Sequence, residues 1–179
     1  ASGPMKAFAV EFYKNGKLLR NKIKNHPRYP YHLLREEMQE FILDKLQLLI
    51  ERKLIKGIGE NGTEYTVIAQ ILDLPKEILR LIQKFDFTKK NPKLIYINTG
   101  ETMISLQDSI LVTFLNLAGF DILFFVPTGY QSVENYFAEK LMEEHQIGEY
   151  KYDMQVPDLN NISTNSTRPS WRRKLFRRG

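Results

Sequence analysis

The chain has no cysteine. Disulfides, thiolate nucleophiles and cysteine-based zinc sites are therefore excluded. Histidine is scarce, with three residues: His26 and His32 flank a Pro/Tyr-rich loop, and His145 sits in "MEEHQIGEY". Glu143, Glu144, His145 and Glu149 do not converge as three metal ligands at helical spacing, so they read as a solvated acidic helix end and no metal is expected. No apolar run approaches the roughly 20 residues that a membrane-spanning helix needs. No hydrophobic leader opens the chain, so secretion is not expected and a cytoplasmic location is. Asn61, Asn161 and Asn165 stand in glycosylation sequons that then carry no meaning. There is no Walker spacing, no internal repeat beyond one βα echo, and no nucleophile–base–acid set at any recognisable spacing. Catalysis by this chain alone is not indicated, and no cofactor can be named.

What is present is unevenly placed. The chain of 179 residues carries 26 Lys+Arg against 21 Asp+Glu. Six of the basic groups fall in the last twelve residues, "RPSWRRKLFRRG", and removing six from 26 leaves 20 against 21. A nearly neutral body thus bears a basic tail. Hydrophobic residues at 42% and aromatics at 12% suit a folded domain with its own core.

Ala1–Pro4 before Met5 read as a cloning remnant, so residues 1–5 are set aside. Residues 6–91 read as a hairpin followed by helices. Phe8, Val10 and Phe12 alternate as in a strand, and Asn15-Gly16 is the preferred pair for a type I′ turn. Apolar spacing predicts a helix from Tyr31 to about Ile55, with Glu36 and Glu37 early, where they favour the helix dipole. Gly57, Gly59 and Gly62 break it. Residues 63–73 fit strand or helix, and "LPKEILRLIQKF" fits a helix with Pro75 in its first turn. Residues 92–158 read as α/β: "KLIYIN" and "DILFFV" suit strands buried on both faces, joined by a helix that Ser105 and Asp108 open and Gly119 ends. Further expectations are a helix over 133–144 and a half-exposed strand at "EYKYDMQV". Residues 159–179 are a polar linker and the tail. The fold class expected is α/β, a small mostly parallel sheet with covering helices in a Rossmann-like βαβ unit, after a β-hairpin and a helical segment.

Both expected strands end in Thr-Gly: "YINTGE" and "FVPTGY". Ligands of open parallel sheets sit outside the carboxyl ends of the strands, where a glycine admits close approach and a helix N-terminus offers N–H groups. Asn98, Thr99, Gly100 and Glu101, with Pro127, Thr128, Gly129 and Tyr130, are the candidate ligand-binding residues, and Gln131 could add a contact. Thr-Gly is also plain turn chemistry after a buried strand. Glu101 and Asp108 are the carboxylates nearest this site, and Asp108 also reads as a helix cap.

The stretch "KLIYINTGETMISLQDSILVTFLNLAGFDILFFVPTGYQSVENYF", continuing through "EEHQIGEYKYDMQVPDL" to the Trp-basic end, resembles the C-terminal part of the YceG-like family. These bacterial proteins are encoded beside tellurium-resistance (Ter) genes and described as a component of a "biosynthetic module". Asn98-Thr99-Gly100, Gly119-Phe120-Asp121, Pro127-Thr128-Gly129-Tyr130 and Gln146-Ile147-Gly148-Glu149-Tyr150 carry the resemblance, which covers 92–179 well and the first half loosely. It implies that the chain is a C-terminal portion of a longer protein of a stress or tellurite-resistance system. Its partners would be other Ter-cluster proteins or the remainder of that longer chain. Family catalytic residues are not established, so none is carried over. The function expected is a non-catalytic accessory or ligand-binding domain, with two alternatives: an enzyme module acting on a nucleotide-like metabolite, or an adaptor working through the tail.

In that tail Arg168, Trp171, Arg172, Arg173, Lys174, Phe176, Arg177 and Arg178 form a partner-binding set. Docking on protein ranks first. An anionic membrane surface, at the inner face of the cell membrane, ranks second, each basic group contributing about 1 kcal/mol there. Nucleic acid ranks third, with arginines on phosphates and Trp171 stacked on a base.

Overall fold

A computed structural model describes residues 7–84, 91–130 and 133–156. The tail, the linker from 157 onward, residues 1–6 and Gln131 lie outside the described residues.

The chain opens on a 3-10 turn, Ala9–Phe12, rather than the expected strand. Phe12 and Ala9 are fully buried while Val10 is exposed, so burial here follows a turn's spacing and not the alternation of a strand. A short hairpin follows, β1 (Tyr13–Lys14) against β2 (Lys17–Leu18). Asn15 and Gly16 both take positive φ, 50° and 80°, as a type I′ turn requires. The side chain of Gln47 holds the hairpin in place: its Oε1 accepts from the Leu18 N–H at 2.8 Å and its Nε2 donates to the Gly16 carbonyl at 3.0 Å.

Four helices build the rest of the first half: α1 (Arg20–Lys24), α2 (Glu36–Glu51), α3 (Thr63–Ile71) and α4 (Lys76–Lys84). The ambiguous 63–73 stretch is helical, with Val67, Ile68 and Ile71 fully buried. Helix α2 begins at Glu36, not Tyr31, because Tyr31 is a core residue in its own right. Its ring is 1% exposed, and its hydroxyl donates to the Ile71 carbonyl and accepts from the Leu74 N–H at 3.0 Å. Burial raises the Tyr31 phenol pKa far above its ordinary range. Arg20 and Lys24 tie α1 to α2 through Glu36, Glu40 and Asp44.

The second half is a βαβ unit: β3 (Lys93–Ile97), α5 (Leu106–Leu117) and β4 (Asp121–Phe125). The strands pair in parallel, with Lys93 opposite Asp121 and Ile97 opposite Phe125. Ser105 caps α5, its Oγ accepting from the Asp108 N–H at 3.0 Å and donating to Asp108 Oδ2 at 2.7 Å. At the far end Gly119 (φ 101°) closes a Schellman motif: the Phe120 N–H reaches the Leu115 carbonyl and the Gly119 N–H the Asn116 carbonyl. Helix α5 presents Ile110, Phe114 and Leu115 to one core shared with α2 and α3. The fold is therefore a small α/β arrangement, with a hairpin and helices ahead of the βαβ unit.

Three further expectations are corrected. The strands are not buried on both faces, since Ile95, Ile97, Leu123 and Phe125 are 40–55% exposed. Residues 133–144 are not helical: the Ala138 N–H donates to the Leu54 carbonyl and the Lys56 N–H to the Tyr136 carbonyl, and Phe137 bridges Ile55. Backbone partners from elsewhere in the fold replace the helix ladder there. Residues 149–156 are exposed and form no strand, although the Lys151 N–H donates to the Pro127 carbonyl at 2.8 Å.

Candidate functional site

The parallel register brings the two Thr-Gly loops to the same end of the strand pair. The Asn98 N–H donates to the Phe125 carbonyl at 2.9 Å, so the chains leave the sheet side by side. Asn98 then organises the first loop. Its Nδ2 donates to the Thr102 carbonyl at 2.9 Å, and its Oδ1 accepts from the Gly100 N–H at 3.2 Å. Thr99 is half-buried, whereas Gly100 and Glu101 are exposed. The first loop runs on to the Ser105 cap, which opens α5 at the same end of the sheet.

In the second loop Thr128 is buried, its Oγ1 accepting from the Tyr130 N–H at 3.3 Å, and Pro127 is half-buried. Gly129 has φ 68°, and a Cβ added to it would lie 2.1 Å from the Tyr150 ring. The glycine is needed, but its close neighbour is Tyr150, carried over the loop by the Lys151–Pro127 hydrogen bond. Tyr130 is exposed at the rim.

Two groups at this end were not singled out from the sequence. Tyr96 of β3 stacks on Phe124 of β4, ring centroids 5.1 Å apart. Its phenol pKa is raised, first by burial and then by the Asp108 carboxylate. Tyr96 could have been found from its parity, because it lies between Ile95 and Ile97 and so faces α5. Tyr150 could not, since nothing local ties it to residue 129. The loops themselves, Asn98–Ser105 and Pro127–Tyr130, contain no Lys or Arg. An anion between the loops would therefore depend on backbone N–H groups and hydroxyls, while Glu101 and Asp108 favour hydrogen-bond donors such as sugar hydroxyls.

The histidines serve other ends. His26 packs against the rings of Phe8 and Phe12, and His32 Nδ1 lies 2.9 Å from the Tyr29 carbonyl. His145 Nε2 lies 3.5 Å from Glu143 Oε2 on the surface. Among the described residues no three His, Asp or Glu groups converge as metal ligands. No helix among them is long and apolar enough to cross a membrane. The tail residues Arg168 to Arg178 lie outside the described residues.

The uncharacterised protein YceG of Bacillus subtilis (strain 168) is 31% identical over 93 residues, which make up 50% of this chain and 17% of that protein. The chain thus spans only a small part of the length of the relative it matches. No solved structure matches. The YceG domain family matches residues 3–167, taking in the first half that the motifs covered only loosely and stopping short of the basic tail. The chain belongs to the YceG family.

Proposed function

We propose that this domain is a non-catalytic accessory part of a YceG protein and holds a small phosphorylated molecule in the crevice between its two Thr-Gly loops. One observation carries the reading: the parallel register Ile97↔Phe125 sets both loops and the capped N-terminus of α5 at one end of the sheet. Such crevices are where open α/β sheets take ligands. The phosphate would be met by backbone N–H groups and the Thr99 hydroxyl, and hydroxyls elsewhere on the ligand by Glu101 and Asp108. A sugar phosphate or nucleotide satisfies both demands, and inorganic phosphate only one. On this reading the binding would serve the stress or tellurite-resistance system that the family resemblance implies.

The test is a titration of the chain with a nucleoside monophosphate, ribose 5-phosphate and inorganic phosphate, followed by backbone NMR shifts. The expected result is shifts confined to 98–106 and 127–130, with the organic phosphates binding more tightly than phosphate alone. Thr99→Ala should weaken binding about two- to tenfold, the range of one hydrogen bond. Unchanged binding in both Thr99→Ala and Thr128→Ala would rule out this site.

The stacked Tyr96 beside Asp108 favours a second reading, in which the same crevice belongs to an enzyme module acting on a nucleotide-like metabolite. Turnover of a bound nucleotide, abolished by Asp108→Asn, would select it. The adaptor reading rests on the tail alone. Trp171, the single tryptophan, reports on it: a blue shift with anionic vesicles means membrane, quenching by RNA means nucleic acid, and emission already blue and indifferent to both means protein docking.

A further inference from the structure

Among the described residues β3 and β4 form a lone parallel pair, which is an incomplete sheet. Parallel sheets occur almost only with helices on both faces, and a strand edge left open presents a row of N–H and C=O groups. Here α5 and the core cover one face, where Leu94 and Ile122 pack inward. The other face shows Ile95, Ile97, Leu123 and Phe125, 40–55% exposed. It is bounded at one end by the Lys93–Asp121 ion pair at 2.6 Å. An apolar patch with a charged rim has the composition of an interface centre and edge.

Among the described residues both outer edges of this pair are without a strand partner, and the hydrogen bonds identify the outer edge of β4. The Asp121 N–H donates to the Pro92 carbonyl and the Phe125 carbonyl accepts from Asn98, so residues 121, 123 and 125 spend their backbone groups on β3. By the alternation of a parallel ladder, Ile122 and Phe124 point theirs the opposite way. A cleft of about 660 Å³ lies on that side, lined by Ile122, Leu123 and Phe124 in succession. No residue of β3 and none of the Thr-Gly loop residues lines it. Its far walls mix apolar side chains, Val112 and Leu117 of α5 and Phe137 of the following segment, with polar ones, among them Arg52, Asn116 and Glu139.

We propose that the outer edge of β4, with the partly apolar cleft beside it, receives a further β-strand from the part of a YceG polypeptide that lies outside this domain. The backbone groups of Ile122 and Phe124 supply the ladder, and the cleft takes apolar side chains from the added strand. The layer that comes with that strand covers the exposed face. The length of the family member favours this occupant: the region shared with the Bacillus subtilis protein is 17% of it, leaving ample chain to provide strand and layer. A small molecule would fill the cleft but leave the edge unpaired, and so answers only half of what is open. This proposal is independent of any ligand in the crevice.

The absence of cysteine from the chain makes the test direct. Leu123→Cys is reacted with a maleimide in the 179-residue chain and in a full-length YceG polypeptide carrying the same domain. The rate is read at this peptide by mass spectrometry, so cysteines elsewhere do not enter. Leu33→Cys, at a position 87% exposed on the helical half, is the control. The expected result is labelling at least tenfold slower at 123 in the full-length protein, with equal rates at 33. Should Leu123→Cys fail to fold, Leu141→Cys reads the same cleft from a segment outside helix and strand. Equal rates at 123 and 141 in both proteins would overturn the proposal. So would protection already present in the 179-residue chain, whether sedimentation traces it to a second copy or native mass spectrometry to a bound small molecule.

Discussion

Helices α2 and α3 bury Ile42, Leu43, Leu46, Leu49, Val67 and Ile68 completely, whereas β3 and β4 leave Ile95, Ile97, Leu123 and Phe125 40–55% exposed. Both regions are rich in apolar residues, so composition does not separate them. What differs is the number of neighbours the fold supplies. The helices lie between the hairpin, each other and α5, while among the described residues the strands are covered by α5 on one face only. Helix α5 belongs to both regions: Ile110 and Phe114 complete the helical core, and Val112 and Leu117 line the cleft beside β4. The first half is a closed core, and the second is a sheet fragment anchored to it.

The sharpest way to break this comparison is to remove an apolar side chain from each side of it. Phe114→Ala should destabilise the chain by about 3–5 kcal/mol, the cost of a large cavity in a packed core. Leu123→Ser should change stability by no more than about 0.5 kcal/mol, as at an exposed site. Urea unfolding measures both, and a comparable loss at Leu123 would mean that the sheet is already covered.

Tyr31→Phe comes next, at about 1–3 kcal/mol, because it leaves the buried Ile71 carbonyl and Leu74 N–H without their partner. The same residue sets an alkaline limit. Its phenol pKa is raised by burial, so the stability it contributes is whole below the ordinary phenol pKa of about 10 and declines as pH rises through the folded-state value. Thermal melts across alkaline pH should show that decline in the parent chain and a shallower one in Tyr31→Phe.

A further effect lies in the second Thr-Gly loop. Gly129→Ala combines a left-handed backbone with a Cβ 2.1 Å from the Tyr150 ring, at about 1–2 kcal/mol for the backbone alone. Adding Tyr150→Ala should recover the steric part and leave the backbone part. If Gly129→Ala is neutral, residue 129 is not held left-handed and Tyr150 does not pack over the loop.

The legible parts of this fold were those encoded within a few residues. The Asn15-Gly16 turn, the Ser105 cap, the Gly119 stop and the two strands each follow from local chemistry. So does the placement of the Thr-Gly pairs at the carboxyl ends of β3 and β4. What the sequence did not disclose depends on distant partners. Residues 133–144 carry a helical pattern, yet Leu54 and Lys56 claim their backbone groups. Tyr150 appears as one position of an alternating run, yet it packs on Gly129. The apolar runs at 93–97 and 121–125 suit strands covered on both faces, and the described residues cover them on one. That last mismatch is informative, because the strands are written for a larger sheet than the one they form here.

The most direct test of this two-region account is amide hydrogen exchange across the 179-residue chain. The account predicts slow exchange through the middle of α2, α3 and α5, and fast exchange at the Ile122 and Phe124 N–H groups on the open edge. Protection at Ile122 and Phe124 equal to that of α5 would contradict it, since the edge of β4 would then already have a partner.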